Sequence, residues 1–144
     1  MTTRTVFILL AAVIALLLLI LWVSGLGYQG RQAKALIALG DREVPTLPIY
    51  REWVDSLSAC LKDGMTFDPK ARYFIGTKIP QSWLDNNQSA KDDGAYTNVK
   101  AHLVLFAPPQ ITVSLFKHEA WHVSHGEGHP AALFYPPVCG MAPA

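Results

Sequence analysis

Cysteine, net charge and internal repetition are all scarce in this chain, and each shortage removes a class of explanation. Of 144 residues only two are cysteine, Cys60 and Cys139. A single pair with no spacing motif reads either as one disulfide or as two unrelated small core residues. As a disulfide it would close most of the region after residue 30, contribute on the order of 4 kcal/mol, and belong to an oxidising compartment. Net charge is nearly absent: +1 overall, and from Arg31 onward 11 Lys/Arg face 11 Asp/Glu. That balance excludes nucleic-acid binding, which needs clustered cations against phosphate. Low net charge with plentiful aromatics also excludes a disordered chain. No internal repeat is present.

The most informative absence lies between Val6 and Val23. Those eighteen residues contain no charge, glycine or proline, and no polar side chain except the Trp22 ring. At about 1.5 Å per residue the run forms a helix of roughly 27 Å, near the hydrocarbon thickness of a bilayer. Trp22 and Tyr28 follow where aromatic rings favour the headgroup level. Residues 1–27 therefore read as a single-pass membrane anchor. The rival is a cleaved signal peptide, with Arg4 in its basic region and Ser24-Gly25 as small cleavage residues, but the run exceeds a usual signal core. Arg4 beside the run favours an N-in orientation with the following domain outside the cytoplasm.

Beyond the anchor the chain reads as one compact domain with a helical lead-in. Residues 28–48 read as a juxtamembrane helix, Tyr28 to Leu39, and a linker marked by Gly40-Asp41, Pro45 and Pro48. Residues 49–144 read as one small α+β domain. Ile49, Trp53, Leu57 and Leu61 recur at helical spacing and predict a helix ending at Asp63-Gly64. Arg72 to Ile75 predicts a short strand, and Asn98 to Ala107 a longer one stopped by Pro108-Pro109. The polar stretch Asp85 to Gly94 predicts a surface loop. It carries an Asn87-Gln88-Ser89 sequon and a pair, Asp92 and Asp93, that reads as solvated rather than calcium-binding. His102, within the apolar strand, reads as a structural histidine, and Trp121 as a core or interface residue. Cys139-Gly140-Met141 offers soft copper ligands, but no blue-copper order of His, Cys, His and Met accompanies it.

Four of the five histidines fall within twelve residues, His118, His122, His125 and His129. His118-Glu119-Ala120-Trp121-His122 is a full H-E-x-x-H pattern. Two imidazoles four apart share one helix face and can reach one Zn²⁺, with the intervening Glu119 as general base for a water that the metal acidifies. At these residues, about a dozen positions in all, the chain resembles the zincin metallopeptidases. The resemblance implies His118 and His122 as zinc ligands, Glu119 as the base, and peptide hydrolysis as the activity. It departs from the metzincin branch, whose following glycine and histidine fall three and six residues after the second ligand. Here those positions hold His125 and Gly128, and Gly126 and His129 lie one residue late. The gluzincin branch takes a later acidic ligand, and no acid follows His129. The third ligand is then His129, folded back by Gly126-Glu127-Gly128, with His125 as the alternative.

Two backbone states compete for this segment. Pro109 before it and Gly126 after it suit a helix, and the domain is then zincin-like. Ile111 to Phe116 instead alternates and is β-branched, as strands are, and Pro108-Pro109-Gln110 would turn a β-hairpin. In that hairpin Glu119 faces away from the histidines. The sequence thus supports a membrane-anchored zinc metalloprotease acting on peptides. The alternative is a non-catalytic accessory or structural subunit of a membrane or virion assembly, held by protein partners and the lipid bilayer, with or without a structural metal.

Overall fold

The computed structural model of the chain describes residues 3–84, 94–107, 111–126, 128–134 and 136–143, without the side chains of 3, 4, 21, 23–26, 82 and 84. The Asp85–Asp93 loop with its sequon and acidic pair, the Pro108–Gln110 junction and Glu127 lie outside these residues. In chain order the elements are helix α1 (Thr3–Ala38), strand β1 (Arg42–Val44), α2 (Pro48–Leu61), β2 (Arg72–Ile75), α3 (Gln81–Leu84), β3 (Ala95–Asn98), β4 (Leu103–Phe106), α4 (Val113–His125) and α5 (Ala131–Phe134). The fold is a small α+β domain around one mixed four-stranded sheet.

The strands lie in the order β1-β2-β4-β3. β2 and β4 are parallel, with Arg72 opposite Leu103, while β1 pairs with β2 and β3 with β4 in antiparallel fashion. Central β4, Leu-Val-Leu-Phe, is buried throughout, as a strand covered on both faces must be. Val104 and Phe106 face a core shared with α2 and α4 through Tyr50, Val54, Leu57 and Phe116. Leu103 and Leu105 face a second core containing Phe74, Trp83, Tyr96 and, from α1, Ala33 and Leu36. The second half of α1 therefore packs on the sheet, and Gln32 Oε1 accepts the Trp83 indole N–H at 2.6 Å. The segment 28–48, expected to continue or restart the anchor helix and then form a linker, holds the end of α1, which supplies one wall of the core, and an edge strand.

Helix α1 runs unbroken from the apolar segment into the domain. From Val6 to Ile20 every large apolar side chain is exposed. Among the described residues, however, no helix is long and apolar enough to cross a membrane.

Several elements differ from their sequence-based expectation. The strand expected over Asn98 to Ala107 shrinks to β4 at Leu103–Phe106, preceded by the last residue of β3 and a turn. Asn98 accepts the Ala101 N–H through its side chain, a 3-10 turn spans Val99–Ala101, and His102 turns the chain at φ 53°. His102 is thus a turn residue, not a strand residue. Its Nδ1 lies 2.5 Å from Asp68 Oδ2, so it is partnered as a structural histidine. The β-hairpin alternative for residues 111–122 is overturned. Thr112 Oγ1 accepts the Leu115 N–H at 3.3 Å and starts a helix there, after Ile111 rather than at Pro109. Local β-preference loses because Phe116 and Ala120, four apart, bury against the sheet only on a helix.

Gly76 is required by a close approach, since a Cβ there would lie 1.6 Å from Asp41 Oδ1. The Asp41 carboxyl is buried, and burial raises its pKa above the ordinary range.

Cys60 and Cys139 form a disulfide with Cα atoms 5.8 Å apart, 79 residues apart in sequence. A loop of that length raises stability by about 4.5 kcal/mol in the chain-entropy model. The Cys60→Ser/Cys139→Ser variant should lose about 4 kcal/mol of unfolding free energy in urea titrations. A loss below about 1 kcal/mol would show that the tail holds without the bond.

Candidate metal centre

Helix α4 is buried on two flanks, which explains why polar side chains in its middle are inside the protein. Phe116 and Ala120 meet the sheet side, and the C-terminal segment wraps the other with Phe134 and Met141. His118, Glu119 and His122 are each 8 % exposed or less. Polar groups buried so deeply need partners.

The helix ends where the chain must return. Gly126 lies at φ 89°, ψ −161°, a region open essentially to glycine alone. Its N–H donates to the His122 carbonyl at 2.8 Å, and its carbonyl accepts from His122 Nδ1 at 3.0 Å. Gly128, at φ 110°, continues the reversal. The turn delivers His129 beside the helix it has just left.

Three ring nitrogens then converge. His118 Nε2 lies 3.0 Å from His129 Nε2, His122 Nε2 lies 3.0 Å from His129 Nε2, and the two helical nitrogens are 3.1 Å apart. The other side of two rings decides what these contacts are. His118 Nδ1 lies 3.0 Å from the Ala142 carbonyl, and His122 Nδ1 the same from that of Gly126. A carbonyl only accepts, so each Nδ1 carries the proton and each neutral ring turns a bare lone pair inward at Nε2. Two lone pairs 3.1 Å apart repel unless a cation or a donated proton lies between them. A triangle with edges near 3.0 Å has a point about 2.0–2.1 Å from each corner, the Zn–N bond length, and tetrahedral coordination asks for edges of about 3.3 Å. The donor set therefore fits one metal ion, and these three residues form a group able to hold it.

Protonation state agrees with ligand geometry at His122. Burial lowers its pKa to about 4, the Gly126 hydrogen bond opposes that shift, and the neighbouring His118 and His129 add to it. The ring is neutral at pH 7, as a ligand must be.

Glu119 stands beside the triangle. Its Oε2 accepts from Thr97 Oγ1 at 2.5 Å, and its Oε1 lies 4.0 Å from His118 Nε2. Thr97 reaches it because Thr97 pairs with Val104, whose side chain points to the same, α4-covered face. Phe134 closes the base, its ring centroid 4.8 Å from that of His118 and 4.9 Å from that of His129.

His125 is not brought into the group. It lies at the helix end, stacked on Trp121 at 4.8 Å and 7°, with Nε2 3.3 Å from Asp63 Oδ2. Its nitrogens face Asp63 and the Trp121 carbonyl, and among the described residues it stands apart from the three converging histidines. Trp121 is a core residue, and Cys139 and Met141 are taken by the disulfide and the core. Thr97, Phe134 and the Ala142 carbonyl were not identified from sequence. Each comes from a segment remote from the residues it helps to hold, and no local pattern marks it.

Compared with known protein families, curated proteins and solved structures, the chain matches none.

Because His122 has a folded-state pKa below its ordinary 6.5, the unfolded chain binds the extra proton between those values. The contribution of His122 to metal-free stability is full above pH 6.5 and falls as pH drops towards about 4. In chelator, the urea midpoint of the native chain should decline over that window more steeply than that of His122→Gln. Equal slopes would place the lost stability elsewhere.

Proposed function

We propose that the chain is a membrane-anchored, zinc-dependent peptide hydrolase. The convergence of His118, His122 and His129 Nε2 with the Glu119 carboxylate at its margin carries this reading. His118, His122 and His129 would hold the ion, and with three protein ligands there would be room for a water or substrate, as in catalytic zinc sites. When bound, zinc supplies a Lewis acid that polarises a carbonyl and acidifies a water at neutral pH. Zinc is favoured over harder ions because all the donors are imidazoles.

In this reading Glu119 is the general base. Oε1 is on the side of the nitrogen triangle, while Thr97 occupies Oε2 and limits rotation of the carboxylate. Oε1 takes the proton of the attacking water and returns it to the departing amine nitrogen. Phe134 and Trp121 exclude bulk water from the inner side of the rings, which strengthens charge interactions there.

The anchor reading rests on the eighteen-residue apolar run, the outward-facing side chains from Val6 to Ile20, and their continuity with α1. The disulfide suits an extracytoplasmic domain. A second reading, an accessory subunit with a structural metal, is favoured by one observation: Glu119 is only 4 % exposed.

Metal content and hydrolysis separate the two. His118→Ala, His122→Ala or His129→Ala should release zinc, measured by elemental analysis of the purified full chain. Glu119→Gln should keep zinc and lose peptide hydrolysis by about a hundredfold or more. Glu119→Gln with undiminished hydrolysis rejects the mechanism, and a zinc-loaded wild type that cleaves no member of a peptide library supports the accessory reading.

Alkaline carbonate extraction should leave the chain in the membrane pellet. Release of a product starting near Leu26 would establish cleavage of the apolar segment instead.

A further inference from the structure

The two helical histidines are oriented by different means. His122 is held by Gly126, four residues away at the end of its own helix. His118 is held by Ala142, 24 residues away, on an arm with no regular secondary structure of its own. That arm is fixed at several points. The Ala142 N–H donates to the Ser114 carbonyl at 3.0 Å, and Lys117 Nζ donates to the Cys139 carbonyl at 3.3 Å. Met141 is 4 % exposed in the core. The covalent restraint is the Cys60–Cys139 disulfide at the C-terminal end of α2. Its Cys139 stands at φ 55° and is followed by Gly140 at φ 73°. A residue with a side chain leaves the left-handed region when nothing holds it there. Cys60 is exposed, so the bond is open to a reductant.

We infer that residues 137–142 form a thiol-sensitive positioning arm, in which the Ala142 carbonyl sets the His118 ring for metal binding and the Cys60–Cys139 disulfide holds that carbonyl in place. The inference rests on the reading of the three histidines as metal ligands. A dithiol reductant switches the arm. One thiolate attacks a disulfide sulfur and expels the other cysteine as a thiolate. The second thiol then resolves the mixed disulfide, leaving two protonated cysteines and an oxidised reductant. With Cys139 released, only the Ser114, Lys117 and Met141 contacts oppose relaxation of the left-handed 139–140 turn, and as it relaxes the Ala142 carbonyl moves off His118 Nδ1. His118 then loses the acceptor that fixes its proton on Nδ1 and its lone pair on Nε2. His122, held within its own helix, is unaffected.

The test uses the full chain in detergent, titrated with Zn²⁺ alone against a chromophoric chelator. Wild type is compared with a variant lacking residues 142–144, each oxidised and each reduced. Reduction is by a water-soluble phosphine, which becomes its oxide, and the thiols are capped with iodoacetamide so that they bind no zinc. Removing Ala142 should weaken Zn²⁺ binding roughly 10- to 100-fold, as loss of an outer hydrogen bond to a ligand histidine does. Reduction should weaken the wild type by a similar factor and the shortened chain by less than about threefold, because both changes remove one contact. A shortened chain that binds like wild type overturns the inference. So does a reduction effect of equal size in both chains. Far-UV circular dichroism shows whether each sample is folded, and if one unfolds the other decides. An oxidised wild type that binds no Zn²⁺ rejects the metal reading itself, an outcome distinct from the other two.

Discussion

Phe134 lies fully buried at the point where the C-terminal segment crosses helix α4, and its ring touches those of His118, His129 and Trp121. The site depends on that crossing. Without it, His118 and His122 would be two histidines on the open flank of a helix, solvated and free to rotate. With it, the flank becomes interior, the rings are dehydrated, and each nitrogen must find a partner within the protein. The glycine turn at Gly126–Gly128 and the tethered arm at Ala142 supply those partners from opposite ends of the wrapping segment.

Burial makes the histidine group informative. A triad of imidazoles on a surface carries little meaning, since water satisfies every nitrogen. Here two Nδ1 protons are committed to carbonyls, so two lone pairs face each other at 3.1 Å. Lone pairs in that arrangement need a cation or a shared proton, and the low pKa of His122 works against the proton. The Glu119 carboxyl stands at the margin of the same group, with Oε1 4.0 Å from His118 Nε2.

Much of the architecture was legible because it depends on local periodicity. The helix over Pro48–Leu61 and the strand over Arg72–Ile75 follow from apolar spacing that no distant contact contradicts. The break between β3 and β4 was not legible. Asn98 to Ala107 has the composition of one strand, but the Asn98 side-chain bond to Ala101 and the left-handed His102 turn the chain between Ala95–Asn98 and Leu103–Phe106. Strand β1 was hidden likewise. Arg42 to Val44 is short and polar, and it becomes a strand because β2 offers its free edge. The state of residues 111–125 was balanced locally, and the burial of Phe116 and Ala120 against the sheet settled it.

By itself the sequence determined which residues could bind a metal, because H-E-x-x-H spacing places two imidazoles on one face of any helix. It also placed Gly126 and Gly128 ahead of His129, residues free to take the backbone angles that a reversal needs. Only the tertiary structure decided that His129 joins the group while His125 does not, that Thr97 holds Glu119, and that the disulfide-bound Ala142 arm holds His118. Spacing along a chain specifies direction on a helix, whereas contact between segments dozens of residues apart is chosen by which packing buries the most apolar surface and leaves the fewest polar groups alone.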